Sequence, residues 1–127
     1  TFMKIKILGS ILVLLSLLSC NHTSLDYVGV YEGKLPCDGC DEVETKLTLK
    51  EDEAYMLYEI YKSSNGNEIK RITGNFEWTD TQDVLVIQQV EALPIYFKIE
   101  ENRVIQFNPK GKSYSNEQDY ILTKIEE

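Results

Sequence analysis

Between Val43 and Lys50 the chain alternates strictly, and this period of two constrains the fold more than any other feature. Val43, Thr45, Leu47 and Leu49 share one face, while Glu44, Lys46, Thr48 and Lys50 share the other. Successive side chains of a strand point to opposite sides, so the pattern suits a sheet with one dry and one wet face. An amphipathic helix would instead repeat its apolar positions every three to four residues. Similar strand character recurs at 27–34, 54–62, 69–78, 84–90, 95–100, 103–108 and 119–125, which predicts eight strands. In 69–78, Ile72, Gly74, Phe76 and Trp78 fall on one face. Turn residues separate the strands: Glu51-Asp52-Glu53, a loop holding the Asn65-Gly66 pair that tolerates positive φ, residues 79–83, and Asn108-Pro109-Lys110-Gly111-Lys112. No segment of useful length between them reads as helix.

Eight short antiparallel strands are best closed on themselves, because closure removes exposed edges. Short hairpin connections favour a meander barrel, with an open Greek-key sandwich as the competitor. Small barrels are filled by side chains or hold one small ligand. The inward candidates are bulky: Leu47, Leu49, Phe76, Trp78, Ile87, Phe97, Ile105, Phe107 and Leu122. They predict a filled interior, with Trp78 in the core or at the barrel bottom.

The beginning of the chain reads as an address. Met3-Lys4-Ile5-Lys6 is a short basic start, and residues 7–18 are an uncharged, mostly apolar run. That run is too short to span a bilayer, for which about 20 residues are needed, and has the length of a signal-peptide core. It ends in Leu17-Leu18-Ser19-Cys20, which resembles the bacterial lipobox. The expected organisation is a lipoprotein signal peptide at 1–19, a lipidated Cys20 with a tether to 26, and a barrel domain at 27–125. Acyl chains on Cys20, each buried methylene worth about 0.8 kcal/mol, would make a durable membrane anchor. Asn21 rather than Asp after Cys20 favours the outer membrane under the sorting rule of enteric bacteria. His22, the single His, falls in the tether with no second ligand at metal spacing beside it.

Charge removes further classes. The chain carries 13 Lys and Arg against 21 Asp and Glu, a formal charge of −8. Losing the leader removes Lys4 and Lys6 and no acid, which takes the balance to −10. Such a body repels phosphate backbones and anionic lipid heads, so no nucleic-acid partner is expected. No nucleophile has a base beside it in sequence, and phosphate-loop and GxSxG motifs are missing, so the chain does not read as an enzyme.

Chemistry concentrates in Leu35-Pro36-Cys37-Asp38-Gly39-Cys40. Two Cys at this spacing can form a small disulfide, grip a soft metal such as Cu(I), or act as a redox pair. An exported protein meets an oxidising compartment, which favours the disulfide. A thioredoxin-type role lacks the helix that should follow the motif. Direct Cu(I) capture by Cys37 and Cys40 with help from Met56 is a further reading, weakened by a total of two Met. Asp41 and Glu42 put negative charge beside the sulfurs and disfavour a thiolate.

The stretch Gly29-Val30-Tyr31-Glu32-Gly33-Lys34-Leu35-Pro36-Cys37-Asp38-Gly39-Cys40, followed by Val43-x-Thr45-x-Leu47, resembles the N-terminal domain of the NlpE-type copper-resistance lipoproteins. Gly74-Asn75-Phe76-Glu77-Trp78 and Tyr120-Ile121-Leu122 fit the same pattern. The resemblance implies a calycin-like, lipocalin-related barrel on an outer-membrane lipid anchor in the cell envelope, facing the periplasm or the surface. It also implies a non-enzymatic role in copper tolerance or envelope-stress sensing through an envelope partner. Under it, Cys37 and Cys40 are a disulfide or a redox- and copper-responsive site; no other cofactor is expected. The alternative is a lipocalin-like module for a small hydrophobic ligand, which would need a cavity where Phe76, Trp78, Phe97 and Phe107 would otherwise pack.

Overall fold

The computed structural model describes residues 26–126; the leader, Cys20 and His22 lie outside the described residues. Nine strands follow one another: β1 (Gly29–Leu35), β2 (Glu42–Leu49), β3 (Ala54–Lys62), β4 (Glu68–Asn75), β5 (Glu77–Trp78), β6 (Val84–Ile87), β7 (Ile95–Glu100), β8 (Arg103–Phe107) and β9 (Ile121–Glu126). Their order in the sheet is β4-β3-β2-β1-β9-β8-β7-β6-β5, antiparallel throughout. Chain neighbours pair with each other except β4 and β5, and β1 pairs with β9. The result is a nearly closed meander barrel, the fold class expected from the alternation.

The expected strand 69–78 appears as two pieces for a geometric reason. Its first part pairs with β3 and its last two residues pair with β6. Phe76 sits at the change of partner; its backbone N–H donates to the Glu53 carbonyl at 2.9 Å and its ring is 3% exposed. One continuous segment thus supplies both edges of the sheet and turns the corner that closes the barrel.

Burial in β2 follows the alternation at every position: Val43, Thr45, Leu47 and Leu49 are buried and their neighbours are not. The core gathers Tyr31, Leu35, Leu47, Leu49, Tyr55 and Leu57 from one half of the sheet and Leu85, Ile87, Phe97, Ile99, Val104 and Leu122 from the other. Tyr31 is fully buried, and its hydroxyl donates to the Tyr27 carbonyl at 2.7 Å, which meets the requirement that a buried polar group be paired. Gly33 lies where β1 meets β9. A Cβ there would come within 2.6 Å of the Ile121 carbonyl oxygen, so the two strands can approach as they do only with glycine.

Two inward assignments need correction. Val104 belongs to the core and the pairing sets Lys98 opposite Ile105 and Tyr96 opposite Phe107, so Ile105 and Phe107 point out of the barrel. Ile105 is still 1% exposed, because it belongs with Val84 and Val86 to an outer apolar layer, on the face where Gly111 packs against the Tyr96 ring. A strand buried on both faces reads as a continuous apolar run, which is what β6 is. The expected strand 84–90 also stops early, at Ile87; residues 88–94 are a loop in which Val90 is 92% exposed.

The register gives the barrel two unlike ends. At one, Tyr27, Phe76 and Trp78 meet edge to face, with centroids 5.2 to 5.8 Å apart, and plug the opening. Such T-shaped contacts place positive ring edges on negative faces. β1 runs away from this plug, so the 36–41 loop lies at the opposite end, with the loops 63–67, 88–94 and 108–120. Outside, Lys46–Glu32, Lys34–Glu42 and Lys62–Glu44 pair across strands at 3.2, 3.7 and 2.8 Å. Exposed pairs of this kind contribute about 0–1 kcal/mol each. Their charges suit water rather than hydrocarbon on this face.

Leu47→Ala should destabilise the protein by about 2–5 kcal/mol in chemical denaturation, the usual cost of a buried methyl cavity. Val90→Ser should stay within about 0.5 kcal/mol of the parent.

Candidate functional site

The open end is built around the loop between β1 and β2. Cys37 and Cys40 are joined there as a disulfide with Cα atoms 5.3 Å apart. Gly39 makes the bend with φ of +96°, a region that residues with a Cβ rarely adopt. The Asp41 N–H donates to the Lys62 carbonyl at 2.8 Å, which extends the β2–β3 ladder and clamps the loop to β3. Cys40 Sγ lies 3.5 Å from the Glu42 carbonyl oxygen; a disulfide sulfur has no proton to donate, so this is a contact only.

Behind the loop opens a cavity of about 460 Å³ that Cys37 helps to line. Leu35 and Val43 form its floor, and Glu59, Tyr61, Tyr114 and Tyr120 are among its walls. Strand pairing places Tyr55, Leu57, Glu59 and Tyr61 on one face of β3, so the apolar core gives way to polar groups as β3 nears the mouth. Tyr61 Oη donates to Glu59 Oε1 at 3.1 Å. The Tyr114 and Tyr120 rings stack at 3.8 Å, 8° from parallel.

Burial governs the electrostatics of this end. It pushes the Glu59 carboxyl above its ordinary value, against the hydrogen bond from Tyr61 and the weaker pull of Lys70, which lies opposite on β4. The Tyr61 phenol is pushed up to about 12, first by burial and then by the negative charge of Glu59. Burial also raises Tyr114, with a contribution from Tyr120.

The family model described as the NlpE N-terminal domain matches residues 31–117. The chain belongs to that family. Lipoprotein NlpE of Escherichia coli strain K12 is 24% identical to this NlpE-type domain over 92 residues, 72% of the chain and 39% of the relative. The chain thus spans about two fifths of that relative's length. A crystal structure of a candidate lipoprotein from Shewanella oneidensis superimposes with a TM-score of 0.71 at 29% identity, over 79% of this chain and 90% of the other. The crystal structure of E. coli NlpE, described as a Cpx pathway activator, gives a TM-score of 0.55 at 21% identity, over 69% and 46% of the two chains, and supports the fold alone.

In this NlpE-type domain the Cys pair of the sequence is together and bonded, whereas Met56 is not near it. Met56 lies on the outward face of β3, opposite to Glu59 and Tyr61, and near the plugged end. With both sulfurs in a disulfide, a soft metal would first need them reduced to thiolates. Among the described residues no three His, Cys, Asp or Glu side chains are arranged to hold a metal ion. Cys20, the lipidation candidate, lies outside the described residues. Sequence reasoning passed over Glu59, although its place beside Tyr55, Leu57 and Tyr61 on the inward period of β3 was a usable signal. Tyr114 had no periodic signal, while Tyr120, expected within the strand 119–125, lies in a 3-10 turn at 117–120 because β9 starts only at Ile121.

Glu59→Gln keeps the acceptor for Tyr61 and removes the charge. Because the folded state holds the Glu59 proton more tightly than the unfolded chain, wild-type stability is fullest below the ordinary value of 4.5 and declines as pH rises through the raised one. Relative to the parent, Glu59→Gln should gain in thermal denaturation between about pH 4 and pH 8. The double variant Cys37→Ser, Cys40→Ser should lose about 2 kcal/mol, since the loop closed is very short.

Proposed function

We propose that this protein is a non-enzymatic, lipid-anchored lipoprotein of the cell envelope, held at the outer membrane through Cys20. Its role is in copper homeostasis or envelope-stress sensing, exercised through partner contacts at the disulfide-capped mouth. The observation that carries the reading is the position of that disulfide relative to the start of the domain. Tyr27 is packed into the plugged end, and the seven residues of β1 then climb about 23 Å to the loop that bears Cys37 and Cys40. An anchor at Cys20 would therefore leave the mouth pointing away from the bilayer, toward other envelope components. Membership of the NlpE N-terminal domain family and the likeness to a relative named a Cpx pathway activator support the envelope setting.

The cysteine pair is the responsive element in this reading. Its oxidised form cannot ligate copper, and its reduced form offers two soft sulfur ligands. Native mass spectrometry of the exported protein, titrated anaerobically with Cu(I), should find no uptake before reduction and one copper after it. Loss of that copper in Cys37→Ser would tie it to the pair, and no uptake in either state would reduce the pair to a structural staple.

In cells, removing the gene should lower copper tolerance or alter an envelope-stress reporter, and Cys20→Ala should reproduce the defect by releasing the domain from the membrane. A deletion strain with unchanged copper tolerance and unchanged reporter output would overturn the reading.

A further inference from the structure

The mouth carries a charge that the disulfide does not use. Glu59 faces the cavity with one hydrogen-bond donor, the Tyr61 hydroxyl at 3.1 Å. Among the described residues no Lys or Arg forms an ion pair with it; Lys70, across the strand pair, acts from a greater distance. A partly buried carboxylate without a counter-ion is costly, and proteins retain such groups where they perform a task. Among the described residues the lining holds no Lys, Arg or His, but adds a second carboxylate, Asp38.

These features select among ligands. An anion would meet two carboxylates and no cation. A wholly apolar ligand would strip water from Glu59 and return nothing. A bare metal ion lacks a set of three ligating side chains here. A cation with an organic body fits each part: Glu59 supplies the counter-charge, and Tyr61, Tyr114 and Tyr120 in the lining supply aromatic surface of the kind that attracts ammonium and guanidinium groups. Leu35 and Val43 can take the hydrocarbon portion. The volume, about 460 Å³, falls within the range of small-molecule sites.

We propose that the mouth of this barrel is a binding site for a small organic cation, a substituted ammonium or guanidinium compound, with Glu59 as its counter-ion and Tyr61, Tyr114 and Tyr120 as its aromatic walls. Cys37 lines the same cavity, but the proposal needs neither copper nor reduction of the pair and is tested on the disulfide-bonded form, so either reading can fail without the other.

The test is a titration of the exported, disulfide-bonded protein with agmatine and with tetramethylammonium chloride, followed by backbone amide NMR, with sodium chloride at matched ionic strength and glucose as controls. Saturable shifts centred on Glu59, Tyr61 and Gln106, with a dissociation constant of about 1 mM or tighter for one of the two cations, are expected. Glu59→Gln should weaken binding about tenfold or more, with the Trp78 indole signal unchanged as a check that the plugged end is intact. Tyr114→Leu should weaken it several-fold and serves if Glu59→Gln does not fold. Shifts that merely follow ionic strength, shifts centred on the acidic 51–53 turn, saturation by glucose in place of the cations, or parent-like affinity in Glu59→Gln would each overturn the proposal.

Discussion

Strand β1 is hydrogen-bonded along both edges, to β2 directly after it and to β9 at the far end of the described chain, where Val30 pairs with Glu126. All other pairings in the sheet join strands that are neighbours in sequence, so each can form as a local hairpin. The β1–β9 ladder cannot, and its loop-closure entropy spans nearly the whole domain. Gly33 makes that closure sterically feasible, and the buried Tyr31 and Leu122 reward it. Without this ladder the remaining hairpins would fall into two separate sheets, β1–β4 and β5–β9, with no enclosed core, and the mouth would lose the wall that Tyr120 and Gln106 provide.

Closure also sorts the interior by chemistry. Near the start of β1 the enclosed space is taken by rings that pack edge to face, and no cavity is needed to explain any residue there. Farther along, the inward positions become Thr45, Glu59, Tyr61 and Gln106, each of which must be hydrogen-bonded or wetted. Thr45, 3% exposed, turns its hydroxyl to the Val43 carbonyl at 3.3 Å, so the polar upper half is partly self-satisfied. Glu59 is the member of this set whose charge has no paired cation.

Much of this was legible in the residues. The alternation in Val43–Leu49 specified a strand, its inward face and the burial of Thr45, because a period of two is a local property. Partner choice is not local. Nothing in Ile69 to Trp78 announces that its two halves bond to strands on opposite sides of the barrel. Ile105 and Phe107 were misplaced because apolar character was taken to mean inward, whereas part of β6, β7 and β8 is covered on both faces. Spacing left disulfide, metal and redox readings of Cys37 and Cys40 open, and the oxidising compartment favoured the disulfide. Tyr114 was not legible and Tyr120 was read as strand, since the segment before β9 reaches its place through tertiary contacts that no short-range pattern encodes.

The pairing of Val30 with Glu126 has a topological effect. β1 leaves the plugged rim and β9 returns to it, so both ends of the described chain emerge side by side on that rim. Whatever covalently precedes Asp26 or follows Glu126 departs from the same side. The domain is thus a sided unit, with a single handle at one pole and a free, unencumbered face at the other. A tag, linker or neighbouring module grafted onto either end would share that pole and leave the opposite one open to diffusing partners and solutes.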